Sequence, residues 1–347
     1  MPVSEAALVG DNSVSRRALV PLSALVAGQE ADFFALLAAK EELRTREGKP
    51  YFRVCFRDAR REVNFPIWID SHWGPACRND WSVGTFYKLR AVYRESNFGP
   101  ELEIRAIRPV NEKDREDGFD PDMLLPRSRE EPQILWERLH ELMVREIPSE
   151  PLRNFVAEVL RRYRREWLRL PASCRYHHPH LGGLLEHTLH VAENTALLAR
   201  AYRQRYPEKE VPFEPQLAVA GAILHDAGKL LELVQSPQAA DFSASGMLLG
   251  HGVLGRDILH QVAATHRIDP EWFLRLEHIV ISHHGEPEGG TPRPPMTLEA
   301  LLVQLLNQLD AKWNMAWKIL SEEKQGAWTS DRNILKQRLY RGPSTSD

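Results

Sequence analysis

Histidine and aspartate residues recur at the ends of apolar helical patterns in the second half of this chain. Of its 14 histidines, 13 lie after residue 139. A single histidine on an apolar stripe is usually a satisfied core residue or a surface group. Here five points on different predicted helices carry such residues beside apolar neighbours, which predicts that they converge: His187 after "GGLLE", His225 and Asp226 in "AGAILHDAGKLLEL", His251 after Gly250, His283 and His284 in "VISHHG", and Asp310 in "LLVQLLNQLDAKW".

The chemistry that suits such a group is metal binding. Burying imidazole and carboxylate groups is unfavourable unless something binds or neutralises them, and a divalent cation does both. This mixture of nitrogen and oxygen ligands suits Mn, Fe, Co, Zn or Mg. Adjacent residues are about 100° apart around a helix, so His225 and Asp226 can both face one ion while Asp226 reaches a second. Gly221 and Gly228 would let helices or substrate approach closely.

Helices must position these residues. Apolar residues recur at intervals of three and four from Ile134 to Met143 and from Phe155 to Tyr163, which predicts two helices. Further helices are predicted at roughly 182–203, 215–234, 250–265, 271–283 and 297–322. The second half of the chain is therefore predicted to be all-α.

The first half has the pattern of a small β-barrel. Four runs rich in aromatic and β-branched residues, together with an initial "ALVPLSAL", predict five strands: "KPYFRVCFRD", "REVNFPIWID", "GTFYKLRAVYRE" and "ELEIRAIRPV". Five strands in this length are typical of an OB fold. We therefore expect a multidomain chain, with an all-β OB-fold barrel at 14–110, an acidic linker at 111–132, an all-α helical bundle at 133–325 and a tail at 326–347.

Composition narrows the class of protein. The net charge of −3 argues against a protein that coats duplex DNA indiscriminately. Three widely spaced cysteines predict neither a disulfide framework nor a CxxC zinc site, so a reducing cytoplasm is the expected location. No stretch approaches a membrane span. We also reject a twin-arginine export signal in "SRRALVPLSALVAG", because its apolar run is short, contains Pro21 and leads into the expected barrel.

The order of these residues resembles a known signature. His187, His225–Asp226 and Asp310 match the H…HD…D pattern of HD-domain metal-dependent phosphohydrolases, and His251 with His283–His284 matches their two-metal branch, which includes the HD-GYP phosphodiesterases. The resemblance implies two divalent metal ions. The first would be bound by His187, His225, Asp226 and Asp310, and the second by His251, His283 and His284, with Asp226 bridging.

Across residues 18–325 the chain resembles one family more closely, the YhaM-type 3′-to-5′ exoribonucleases, which join an OB fold to an HD domain. The fragments that carry this resemblance are "REGKPYFRVCFRD", "PASCRYHHPHLGGLLEHTL", "AGAILHDAGKLLEL", "LLGH", "ISHHGEPEGGTP" and "EALLVQLLNQLDAKW". It implies hydrolysis of single-stranded RNA, with single-stranded DNA as a second candidate, to nucleoside monophosphates. A hydroxide activated by two ions about 3.5 to 4 Å apart would attack phosphorus.

Other residues receive roles around this centre. We expect Lys229, one turn after His225, to contact a nonbridging phosphate oxygen and His178 to contact the substrate. Glu186 and Thr188 flank His187 and are expected to hold it in one tautomer. In the barrel, the candidates for base stacking and phosphate binding are Tyr51, Phe52, Phe56, Trp68 and Tyr87, with Arg53, Arg57 and Lys88, although strand alternation places about half of them in the core.

Two alternatives stay open. A phosphodiesterase or phosphohydrolase of small or cyclic nucleotides would use the same ligands, although the GYP tripeptide is missing after the histidine pair. A nucleic-acid-binding adaptor with a structural HD domain is the other, and the complete ligand set argues against it. A homo-oligomer is compatible with either kind of enzyme.

Overall fold

The structure is a computed structural model that describes residues 19–45, 47–96, 99–235, 240–285, 292–322 and 326–343. Contacts divide the chain into two units, Met1–Leu124 and Leu125–Asp347. The first is built on an antiparallel sheet and the second on helices. This confirms the expected order of an OB-type domain followed by a helical one. Residues 14–18, at the start of the expected barrel and of the rejected export signal, lie outside the described part.

The first unit contains a five-stranded antiparallel sheet in the order β3-β2-β1-β4-β5. β3 and β5 also lie against each other, so the sheet curls towards closure. Phe52, Val54 and Phe56 alternate towards a buried core on β2, as the period of a strand requires. The elements are β1 (Glu30–Arg44), β2 (Pro50–Arg57), β3 (Glu62–Trp68), a short helix α1 (Gly74–Asn79), β4 (Phe86–Ser96) and β5 (Gly99–Pro109).

The first strand is not where the sequence pattern placed it. The predicted strand "ALVPLSAL" is wrong, because Leu22–Ala24 forms a short 3-10 helix whose Leu22 is buried. Leu22 and Leu25 instead fill the end of the barrel core. The central strand is β1, which pairs with both β2 and β4. Its second half, "AKEELR", has the composition of a helix, and tertiary pairing overrides that preference.

The segment expected to be a linker is divided between the units. Its first part folds as 3-10 helices at Glu112–Arg115 and Pro121–Leu124 within the first unit. Asp114 fixes it there, because this buried carboxylate accepts hydrogen bonds from Arg108 (2.6 and 2.7 Å) and lies 3.4 Å from Nζ of Lys88. At the other end of the chain, the expected tail contains a β-bridge between Trp328 and Tyr340, while residues 344–347 are outside the described part.

The second unit is a helical bundle around one apolar core. No helix in the described residues combines the length and apolarity needed to cross a membrane. The elements are α2 (Pro132–Glu146), α3 (Glu150–Arg162), α4 (Arg164–Trp167), α5 (Gly183–Arg205), α6 (Pro215–Leu224), α7 (Lys229–Glu232), a small hairpin of β6 (Leu233–Gln235) and β7 (Ala240–Phe242), α8 (Ala244–Ala263), α9 (Pro270–Ser282) and α10 (Leu298–Glu322).

The observed helices are interrupted at two points where the sequence predicts continuous helices. The single helix expected at 215–234 is wrong, since the chain leaves α6 at Leu224, turns through residues 225–228 and resumes as α7. Within α8, Gly250 has φ 72°, a left-handed conformation that glycine adopts without strain. Both interruptions fall beside candidate metal ligands, His225 and His251.

Candidate metal centre

Four helices and one turn deliver the candidate ligands to one region of the second unit. His187 lies in the first turns of α5, and His225 and Asp226 occupy the turn between α6 and α7. His251 directly follows the kink in α8. The set is completed by His283 and His284 at the end of α9 and by Asp310 in α10. The structure therefore brings together residues that are up to 123 positions apart, such as His187 and Asp310.

Close helix packing makes this convergence possible. A Cβ atom added to Gly228 would lie 1.8 Å from the carbonyl oxygen of His251, so only glycine fits between the turn and α8. A Cβ at Gly221 would lie 2.5 Å from Cδ1 of Ile279, where α6 crosses α9. The prediction that these two glycines permit close approach is confirmed for helix packing.

The first cluster consists of His187, His225 and Asp226, all essentially buried. Nε2 of His225 lies 3.3 Å from Nε2 of His187. Oδ2 of Asp226 is 3.5 Å from Nε2 of His187 and 3.4 Å from Nε2 of His225. Three donor atoms from two different regions of the chain therefore face one another at distances that a cation between them would bridge.

The second cluster consists of His251, His283 and His284. Nε2 of His251 lies 3.3 Å from Nε2 of His283 and 2.7 Å from Nε2 of His284. The other oxygen of Asp226, Oδ1, lies 3.3 Å from Nε2 of His283 and 3.7 Å from Nε2 of His251. One carboxylate thus faces both clusters, one oxygen to each.

Hydrogen bonds on the outer side of the rings fix their tautomers. Nδ1 of His225 donates to the carbonyl oxygen of Ala222, and Nδ1 of His283 donates to that of Val280, both at 2.7 Å. Nδ1 of His251 donates to Oε1 of Glu232 at 2.9 Å. With the proton held on Nδ1, each Nε2 presents a lone pair to the centre.

Burial keeps three of the candidate ligand rings neutral. It lowers the pKa of His187 and of His283 to about 4, despite the opposing effect of nearby carboxylates, and the pKa of His284 to about 2. Burial also raises the pKa of Asp226, but Lys229 and His225 outweigh it and hold that pKa well below its usual value. His187, His283 and His284 are therefore neutral imidazoles near an ionised carboxylate, the protonation state that binds a metal.

The donor set fits a pair of divalent cations. Oδ1 of Asp226 is buried and has no hydrogen-bond partner among the described residues. Lone pairs on neighbouring Nε2 atoms repel one another, and an unpaired buried carboxylate oxygen is costly. A cation in each cluster would remove both penalties, with Asp226 shared between them.

Asp310 lies on the outer side of His187. Its Oδ2 accepts a hydrogen bond from Nδ1 of His187 at 2.7 Å and another from Nε2 of His178 at 2.9 Å. Its Oδ1 lies 3.2 Å from Nδ1 of His190. In this arrangement Asp310 orients His187, a role that metal-bound histidines usually require of a carboxylate. This differs from the direct ligation that the family resemblance implies.

His178 and Glu186 continue this chain of hydrogen bonds. His178 is buried, and its Nδ1 donates to Glu186 at 3.0 Å while its Nε2 donates to Asp310. Although burial lowers the pKa of His178, the two carboxylates raise it to about 9. Both ring nitrogens are occupied, so the expected contact between His178 and substrate is not available here. Glu186 reaches His187 only through His178 and Asp310.

Two other expected roles also take a different form. Thr188 is buried, and its hydroxyl has no hydrogen-bond partner among the described residues, so it does not hold His187. Nζ of Lys229 donates to Oδ2 of Asp226 at 2.7 Å. To contact a phosphate oxygen, Lys229 would have to give up its hydrogen bond to Asp226. The positive charge of Lys229 nevertheless lies at the centre already.

Sequence reasoning missed two residues that complete the surroundings. Oδ1 of Asn307 lies 3.1 Å from Nε2 of His187 and supplies another oxygen at that corner. The carboxylate of Glu232 accepts two hydrogen bonds from His251, one from its backbone N–H (3.0 Å) and one from its ring Nδ1. The available signal was a polar residue on an otherwise apolar helix: Asn307 one turn before Asp310, and Glu232 one turn after Gly228.

In the first unit, Tyr51 and Trp68 occupy the outer face of the sheet. They are cross-strand partners with ring centroids 5.4 Å apart, and Nζ of Lys49 lies 5.0 Å from the Trp68 ring. Arg53 is exposed and lies beside Glu41. The other aromatic candidates belong to the core: Phe52, Phe56 and Tyr87. Lys88 lies between two aspartates, which leaves Arg53 as the more available cation.

Comparison with known proteins adds the domain family. Residues 184–312 match the family described as "HD domain". The helical unit contains an HD domain. The match begins three residues before His187 and ends two residues after Asp310, so it spans all seven candidate ligands. The expected OB-plus-HD architecture is confirmed, whereas the narrower resemblance to the YhaM-type family stays a prediction.

Two solved structures show distant likeness to part of the chain. One is the second OB-fold domain of replication protein A from Methanococcus maripaludis, at 13% identity and TM-score 0.21, covering 27% of this chain and 96% of that one. The other is Schizosaccharomyces pombe Pot1pC bound to ssDNA, at 16% identity and TM-score 0.22, covering 28% and 90%. Likeness at this level carries no argument about what this chain binds.

Proposed function

We propose that this protein is a metal-dependent phosphodiesterase that removes nucleoside monophosphates from the 3′ end of single-stranded RNA. The observation that carries the hydrolase part is the double role of Asp226, whose two oxygens face two separate clusters of histidines. A pair of divalent ions bound there would polarise the phosphoryl group and lower the pKa of water. The match to an HD domain supports the same reaction class.

The residues of the chain would prepare the centre for this reaction. Asp310 and Glu232 fix the rings of His187 and His251, and backbone carbonyls fix those of His225 and His283. Lys229 is buried, and its ammonium group would compensate negative charge that develops on the phosphate. Because these groups are held before substrate arrives, little reorganisation is needed during the reaction.

A polymeric substrate is supported by the first unit. OB folds bind single strands through cationic grooves and exposed aromatic faces. Tyr51, Trp68, Lys49 and Arg53 form such a surface on the outer face of β2 and β3. We assign RNA as the substrate and 3′-to-5′ polarity because the family resemblance implies them, and single-stranded DNA is the comparison substrate.

The test is a product ladder. Purified protein with Mn²⁺ should shorten a 5′-labelled single-stranded RNA one nucleotide at a time, and Asp226→Asn should abolish the ladder without abolishing RNA binding. His266→Ala is a matched control, because this histidine lies outside the centre. Faster turnover of a cyclic dinucleotide would favour the small-nucleotide enzyme. Intact RNA in the presence of occupied metal sites would contradict the proposal.

A further inference from the structure

Two exposed tryptophans lie on α10 beyond the metal centre, in line with the residues that the helix buries. Glu299, Val303 and Leu306 recur on the inner face of α10 and are buried, and Asp310 follows them at the centre. The same spacing continues to Trp313 and Trp317, which lie three and seven residues beyond Asp310. These two side chains are 66% and 54% exposed. A stripe that begins in the core therefore ends as an aromatic surface.

This surface begins beside the candidate site. With a rise of 1.5 Å per residue, Trp313 lies about 4.5 Å and Trp317 about 10.5 Å further along the helix axis than Asp310. Both are within about 60° of Asp310 around the helix. The tryptophans are thus separated by about 6 Å along the axis, a step that an unstacked single strand can follow from one base to the next.

A cation accompanies the second tryptophan. The guanidinium carbon of Arg129 lies 5.9 Å from the centroid of the Trp317 ring. Arg129 is exposed, and it forms no ion pair with any described residue. The neighbouring Glu130 pairs instead with Arg138. Aromatic faces with an unpaired guanidinium favour a polyanion whose bases can stack. A purely apolar partner would leave that charge uncompensated.

We propose that Trp313, Trp317 and Arg129 bind the nucleotides immediately 5′ of the scissile bond, so that the strand runs from the metal centre along α10. The two indole rings stack on consecutive bases, and Arg129 contacts a phosphate near the second. This assignment rests on the proposed function for the direction of the strand. The binding of a single strand to this surface does not require hydrolysis and is tested separately.

The binding experiment uses the full chain in EDTA, so that no hydrolysis occurs. Fluorescence anisotropy of a 5′-fluorescein-labelled uridine decamer should give a Kd at least about tenfold higher for the Trp313→Ala/Trp317→Ala double variant than for the unmodified protein. Trp328→Ala is the matched control, because Trp328 is also half-exposed with an arginine, Arg338, over its ring. Its Kd should remain unchanged.

A second variant tests the cation independently. Arg129→Ala should weaken binding and reduce the slope of log Kd against log salt by about one counterion equivalent. Circular dichroism and metal content should match the unmodified protein for every variant, since the three side chains are exposed. Unchanged affinity in both the double variant and Arg129→Ala overturns the proposal. A changed oligomeric state with unchanged affinity also overturns it, and identifies the surface as an interface between copies.

Chain length connects the surface to catalysis. With Mn²⁺, kcat/KM of the unmodified protein should rise from a dinucleotide to a tetranucleotide, and the double variant should lose most of that gain. If the unmodified protein cleaves no RNA, the proposed function fails, while the anisotropy result still decides whether this surface binds a strand. If it cleaves RNA and the variant keeps the full gain, only the assignment of this surface fails.

Discussion

Replacing Asp310 with asparagine separates two roles for this carboxylate. In the structure it accepts hydrogen bonds from His187, His178 and His190. An asparagine can still accept from Nδ1 of His187, but as a neutral acceptor. Hydrogen bonds to charged groups contribute about 1.5 to 3 kcal/mol, against about 0.5 to 1.5 kcal/mol between neutral groups. The bond that orients His187 should therefore lose about 1 to 1.5 kcal/mol.

This loss translates into metal affinity. Because every 1.4 kcal/mol is about a tenfold change in a binding constant, Asp310→Asn should weaken binding of the first ion by about tenfold. Substitutions of groups that orient metal ligands typically weaken binding by about 10- to 100-fold, so the expected loss lies at the lower end of that range. The second ion should bind as before, because His251 and His283 do not contact Asp310.

The assay is a Mn²⁺ titration by isothermal calorimetry with two reference variants. Asp226→Asn alters the carboxylate that both clusters share and should weaken both ions. Glu193→Gln changes a half-exposed carboxylate elsewhere on α5 and should leave both intact. If Asp310→Asn removes the first ion altogether, Asp310 is a direct ligand and the orienting role inferred from this geometry is refuted.

Three further predictions concern packing, acid stability and thiol reactivity. Gly228→Ala should lower the Tm and the metal content, because the added Cβ would collide with the carbonyl of His251, whereas Gly252→Ala, with no atom closer than 3.9 Å to its Cβ, should leave the metal content unchanged. The pKa of Asp114 is held below its usual value, since hydrogen bonds from arginine outweigh burial. Its stabilisation is therefore present above about pH 4 and lost as the pH falls below that. In acid titrations followed by circular dichroism, Asp114→Asn should be less stable than the unmodified protein at pH 6, and the difference should shrink towards pH 2. Burial raises the pKa of all three cysteines, to about 11 for Cys55 and Cys77, but only Cys174 is partly exposed to solvent. Ellman's reagent at pH 7.5 should therefore modify the native chain only at Cys174, and native Cys174→Ser should not react.

The candidate ligands could be predicted because polar residues are rare on apolar helix faces unless they bind something there. His225 and Asp226 stand in a run that is otherwise apolar, and His283 follows the apolar end of α9. What could not be predicted was the local geometry. The turn at 225–228 interrupts a continuous helical pattern, because packing of Gly228 against α8 outweighs the helix propensity of its neighbours.

Contacts between distant residues were equally out of reach. Thr188 and Glu186 flank His187 in sequence, but Asp310, 123 positions away, holds its ring. In the barrel, β1 has a charged second half that favours a helix locally, and only its pairing with two neighbours makes it the central strand. The periodicity and composition of a sequence segment indicate which element that segment forms. The hydrogen bond to His187 and the central position of β1 depend instead on residues elsewhere in the chain.

The outer hydrogen bonds of the four imidazoles divide them into two kinds. His225 and His283 are held by carbonyl groups three residues earlier in their own chain segments, which no side-chain substitution removes. His187 and His251 are held by carboxylates that a single codon change can alter. An engineer who wishes to shift the selectivity of this centre among divalent ions should therefore vary Asp310 and Glu232, one for each ion, and leave the backbone-anchored pair as a fixed frame.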